Sequence, residues 1–161
     1  MKKIGIVLLA VGLTFGLAGI GLAQNQATQT VSFQISAIDT ISVSGNPPTL
    51  IISTIPGSVS DSSTTYAVST NGTNRRITGQ ITTGGDMPAN TSLYATLQAP
   101  TGGTSAGEQT LTSGSAVNLV TGISTLAESG RQISYRFAAV AGAGIIDPAQ
   151  NRVVTLTITG P

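Results

Sequence analysis

Ser105 sits in the segment GTSAG, Gly103 to Gly107, which matches the G-x-S-x-G pattern of a nucleophile elbow. That pattern works when a strand-to-helix turn presents the serine to a histidine base. The chain has no His and no Cys. Without a base the hydroxyl is a weak nucleophile. The flanks APTGG and EQTLTS read as a loop entering a strand, so a flexible hairpin loop is the plainer expectation. The absent residue types also exclude zinc and copper sites of the usual kind, Ser-His triads and thiol chemistry. Both lysines, Lys2 and Lys3, lie at the extreme N-terminus, so Ser-Lys dyads, Schiff bases and Lys–Asn cross-links are excluded beyond it.

The carboxylates are Asp39, Asp61, Asp86, Glu108, Glu128 and Asp147. A glycosidase needs two of them held across one bond. They are scattered, and the four Asp residues fall where Asp commonly caps a turn. No D-x-D-x-D-G calcium loop is present, although calcium ligands drawn from loops need no motif. No cofactor is expected and no catalytic residue is assigned. Arg75 and Arg76 are the only adjacent like charges outside the N-terminal lysines. On a strand, neighbours point to opposite faces, so the two are not expected to form one anion-binding patch. Thr155, Thr157 and Thr159 share a face in TLTIT; one such row is the ordinary solvent face of a strand. Asn71–Gly72–Thr73 and Asn90–Thr91–Ser92 match glycosylation sequons.

The elements around these residues follow from the first residues onward. MKKIGIVLLAVGLTFGLAGIGLA has a basic start, an apolar stretch and small residues at Gly21 and Ala23. It reads as a signal peptide over residues 1–23, removed on secretion, with a retained membrane anchor as the rival. The expected mature chain, 24–161, carries five arginines against six carboxylates and no Lys. That balance offers no basic field for nucleic acid and no polybasic membrane patch. Its length suffices for one domain that needs no disulfides. A secreted or cell-surface protein of bacterial or archaeal type is expected.

Apolar residues recur with period two: Val31–Phe33–Ile35, Ile41–Val43, Leu50–Ile52, Tyr66–Val68, Ile77–Ile81, Leu93–Leu97, Val117–Leu119, Ile133–Ala139 and Val154–Ile158. Turn chemistry separates them. Asn71–Gly72 is a short hairpin signal. Gly122–Gly130 is the one candidate helix, or a single turn bridging two sheets. The pattern predicts an all-β fold: a single antiparallel β-sandwich, Ig-like or jelly-roll-like, of about eight to ten strands. A membrane barrel would need aromatic girdles, and Phe33, Tyr66, Tyr94, Tyr135 and Phe137 are the only aromatics of the mature chain.

With chemistry scarce, function is expected in surface and assembly. Residues 24–36, QNQATQTVSFQIS, lead into a strand whose apolar face is Val31, Phe33 and Ile35. Fully extended, they reach about 40 Å at ~3.3 Å per residue. Sheet edges are usually guarded by Lys, other charges or Pro; a mature chain without Lys leaves an edge open to strand addition. The segment either forms the first strand of its own sandwich or completes the sheet of a neighbour, and a head-to-tail contact that does not close makes a fibre. The signal peptide, then TVSFQI, then Thr- and Gly-rich strands ending in RVVTLTIT resemble small secreted β-sandwich filament subunits, the TasA-like matrix fibres and the archaeal bundling pili. The resemblance implies donor-strand exchange, extracellular fibres and cell–cell adhesion, with self-association and contacts to cell-surface or matrix components. The alternative is a monomeric secreted adhesive or ligand-binding module, for which Tyr94, facing away from Leu93 and Leu97, is the best exposed aromatic.

Overall fold

The computed structural model describes residues 26–161. The expected signal peptide, with Gln24 and Asn25, lies outside the described residues. Backbone contacts divide the chain after Gln34. In the first part, residues 26–34 are exposed and form no strand. The second part, Ile35–Pro161, holds nine strands and no helix.

The strands are β1 (Asp39–Val43), β2 (Gly57–Thr70), β3 (Arg75–Thr83), β4 (Thr91–Leu97), β5 (Thr104–Ser105), β6 (Gln109–Leu111), β7 (Val117–Ile123), β8 (Leu126–Ala139) and β9 (Val153–Thr159). They form two antiparallel sheets, in the orders β1-β2-β8-β4-β6 and β5-β7-β3-β9. The expected all-β sandwich is therefore what the chain adopts. The alternation of its apolar residues accounts for it: successive side chains point to opposite faces, so each strand has an apolar face to bury. Tyr66, Val68, Leu97 and Ile133 from the first sheet meet Ile77, Ile81, Leu119 and Ile123 from the second.

Three local expectations are corrected. Asn71–Gly72 does not make a hairpin, because β2 and β3 belong to different sheets. The Asn71 side chain is committed elsewhere: its Oδ1 accepts from the Ile38 amide at 2.8 Å and its Nδ2 donates to the Ser36 carbonyl at 2.8 Å. The four residues 71–74 then turn from one sheet to the other, with Asn74 at φ 52°. Gly122–Gly130 is not a helix. β7 runs to Ile123, Ser124 and Thr125 cross between the sheets, and β8 begins at Leu126. Glycines at positive φ, Gly122 at 73° and Gly130 at 69°, interrupt any helical path. Leu50–Ile52 forms no strand. Gly45–Asn46–Pro47–Pro48 precedes it, and proline has no N–H to enter a ladder.

Candidate assembly site

The residues that looked capable of chemistry are dispersed and mostly engaged in holding the fold. The Ser105 hydroxyl donates to the Leu97 carbonyl at 2.7 Å and accepts from the Gly107 amide at 3.2 Å. Ser105 lies on β5 and Leu97 on β4, so this hydroxyl links the two sheets. Each of five carboxylates has its own local partner. Asp39 accepts from the Thr70 hydroxyl at 2.6 Å and pairs with Arg75. Asp61 accepts from the amide and hydroxyl of Ser63. The hydroxyl and amide of Ser113 hold Asp86 below its ordinary pKa. Arg136 does the same to Glu108, and Thr101 with Arg131 to Glu128. Of the four Asp residues expected at turns, Asp39 instead opens β1 and sits in an ion pair, and Asp61 lies within β2 paired with Tyr135, beside a register shift. Among the described residues, no three His, Cys, Asp or Glu side chains gather as a metal-binding group.

Arg75 and Arg76 point to opposite faces of β3, as strand geometry requires. Arg75 shares the inward parity of the buried Ile77 and Ile81 and reaches Asp39 on the other sheet. Arg76 lies on the outer face opposite Thr159. The Thr155–Thr157–Thr159 row is also on that outer face, and it is not alone. Thr78 pairs with Thr157, and the Thr82 and Thr155 hydroxyls are 2.7 Å apart. This second row comes from β3, which sequence spacing within one strand did not reveal. Tyr94 does face away from Leu93, but Arg136 lies over its ring, 4.0 Å from the centroid. Glu108 in turn accepts from Arg136 Nε at 2.7 Å. The ring is thus covered by an ion pair. A surface depression of about 340 Å³ is lined by Thr40, Ser42, Ser69, Ser129 and Glu128 together with Ile41 and Val68.

The expected assembly residues are placed differently from everything above. Val31, Phe33 and Ile35 are 73%, 93% and 82% exposed and belong to no strand. The chain joins the first sheet just beyond them, where Asn71 grips Ser36 and Ile38 beside the start of β1.

The sheet edges complete the description. β1 covers only the far part of β2, from Asp39↔Thr70 to Val43↔Tyr66. Two further bonds, Ser44 N–H to the Thr65 carbonyl and Thr65 N–H to the Ser44 hydroxyl, each 2.9 Å, end that contact. The remaining stretch of β2, Gly57–Thr64, pairs with β8 on one side. On its other side no strand pairs with it among the described residues. In the second sheet, β9 is also an edge strand. No protein-family model, curated protein or solved structure matches this chain.

Proposed function

We propose that this chain is a non-enzymatic structural subunit of a secreted filament or surface layer, assembled by β-strand addition between copies. One observation carries the reading: Val31, Phe33 and Ile35 alternate as one apolar strand face and are exposed at 73%, 93% and 82%. Burying a side chain of this size contributes roughly 1.5–3 kcal/mol. A strand face left exposed in the single chain therefore has a strong drive to find a sheet. The segment itself bears no charge between Gln26 and Ser36, so nothing guards it against pairing. The TasA-like and bundling-pilus resemblance supports the same reading, with adhesion or matrix scaffolding as the role. The alternative, a monomeric adhesive or ligand-binding module, calls for a free aromatic platform, and Tyr94 lies beneath Arg136.

Negative-stain electron microscopy of residues 24–161 at high concentration tests the proposal. Uniform thin filaments with a repeat near one domain length are expected. The same chain lacking residues 24–34 should stay folded and give dispersed particles. Dispersed particles from the 24–161 chain itself would sink the filament reading and send the search to ligand screens.

A further inference from the structure

Resting on the filament reading, we propose that the acceptor of the donated strand is the open edge of β2 at Gly57–Thr64. There the Val31–Phe33–Ile35 segment of a second copy lies antiparallel to β2, in line with β1.

Four features select this edge. First, its length fits. The regularly paired part, Gly57–Asp61, offers about 17 Å of edge before the register shift between Asp61 and Thr64, which matches the five residues Val31–Ile35 at ~3.3 Å per residue. Second, no strand of the same chain takes this ladder place among the described residues. The chain leaves β1 at Val43 and returns to Gly57 through residues 45–56, touching β2 at Gly57, where an added Cβ would meet the Thr54 carbonyl and Ile52. Pro47 and Pro48 cannot donate to a ladder, and this return segment forms no strand.

Third, this edge has an apolar floor across the sandwich. β1 lies against β9. β3 begins next to the Thr70 end of β2, so the pairings Arg76↔Thr159 and Ile81↔Val154 run β9 back toward the Gly57 end, with Leu156 and then Val154 on its inner face. Both are half-buried. On the first sheet, Val59 and Phe137 are paired neighbours and likewise half-buried. A strand added beside β2 would lay one apolar face over this floor. A strand added outside β9, the longest other exposed edge, would have no facing sheet to bury Phe33.

Fourth, the polarity closes head to tail. The donor segment joins its own body at the Asn71 corner, next to Thr70. The acceptor stretch is at the opposite end of β2, toward Gly57. A donor whose residue 35 emerges at the Gly57 end therefore sets its own Asn71 end against the acceptor's Gly57 end. Repeating that contact propagates a line of copies rather than a closed dimer.

Paired cysteines test this in a chain that has none of its own. Donor residue Gln34 lies on the polar face of its strand, and Ser58 and Ser60 are exposed on β2. Chains 24–161 carrying Gln34→Cys with Ser58→Cys, or with Ser60→Cys, are oxidised after assembly and run without reductant. Circular dichroism checks that each variant remains folded. Gln34→Cys with Thr155→Cys on β9, and with Thr110→Cys on β6, serve as comparison edges. A covalent ladder of multimers from a β2 pair, and from neither comparison, is the expected result. Filaments whose ladder appears with β9 or β6 would overturn the acceptor assignment and leave the filament reading standing, as would filaments with no ladder in any pair. Absence of filaments in the unsubstituted chain would overturn both.

Discussion

Arg75 Nη2 lies 3.0 Å from Asp39 Oδ2, joining β3 of one sheet to β1 of the other. The Thr70 hydroxyl donates to the second Asp39 oxygen at 2.6 Å. Both ionic side chains are about three-quarters shielded, with 23% and 26% exposure. The arginine is boxed in as well: a Cβ on Gly72 would collide with its Nε. This small network closes one end of the sandwich.

Asp39→Asn removes the charge while keeping the shape. Hydrogen bonds to charged groups contribute about 1.5–3 kcal/mol, and partial exposure places this pair toward the lower part of that range. A loss of about 1–2 kcal/mol in urea unfolding is expected. The same substitution in an Arg75→Met background should cost clearly less. Equal losses in both backgrounds would show that the pair contributes nothing of its own.

Gly79 lies at a close approach inside the core. An added Cβ would stand 2.6 Å from Leu119 Cδ1 and 3.3 Å from Leu111 Cδ2. Leu119 is fully buried and has no room to withdraw. Gly79→Ala should therefore destabilise by about 1–3 kcal/mol, the usual cost of overpacking. Leu119→Val should relieve part of it, a coupling readable from thermal melts of the two single variants and the double one. Additive losses would contradict the contact.

Stability should be level across neutral pH and fall at both ends. Tyr66 donates to the Gln98 carbonyl at 2.7 Å, and its burial pushes its pKa up to about 12. Burial also raises Tyr135. A raised folded-state pKa means the contribution is complete below the unfolded value, about 10, and is lost as pH rises from there toward 12. Tyr66→Phe should reduce that alkaline loss while lowering neutral stability by about 1 kcal/mol, one hydrogen bond's worth. At the acid end the lowered carboxylates Asp86, Glu108 and Glu128 act in the opposite sense. Their contribution is present above the ordinary carboxylate range and is lost as pH falls below it. With no His in the chain, no side chain of ordinary pKa titrates between these limits. Urea midpoints measured from pH 3 to 12 check both arms.

Phe33→Ser separates assembly from folding. At 93% exposure, Phe33 supports little of the single chain, so its replacement should shift stability by less than about 0.5 kcal/mol. Ile133→Ala, in the core at 1% exposure, should cost about 2–5 kcal/mol. Filaments should disappear with Phe33→Ser while its unfolding curve stays in place. A large loss of stability with Phe33→Ser would return that side chain to its own core.

The strand character of this protein was legible in its residues. Alternation marked Tyr66–Val68, Ile77–Ile81, Leu93–Leu97 and Ile133–Ala139 because a half-buried strand repeats every two residues. Turn residues marked most boundaries, since Gly, Pro, Asn and Asp act locally. The opposite directions of Arg75 and Arg76 followed from the same pleat. Local chemistry failed where partners are distant. Asn71–Gly72 has hairpin residues, yet its amide binds Ser36 and Ile38, 35 and 33 positions away. Leu50–Ile52 has strand spacing, but prolines upstream and an exposed return path keep it out of a ladder. The second threonine row and the Arg136 cover over Tyr94 arise from strands brought side by side.

Sequence alone therefore determined the period of the core strands, the absence of His and Cys, and the apolar alternation of Val31–Phe33–Ile35. Those depend on residue type and neighbours along the chain. Which strands share a sheet, and that β1 stops short along β2 and leaves Gly57–Thr64 open, was decided by tertiary structure. Register is a contact between distant segments, and what lies across the sandwich from an edge is set by the other sheet rather than by the edge's own residues.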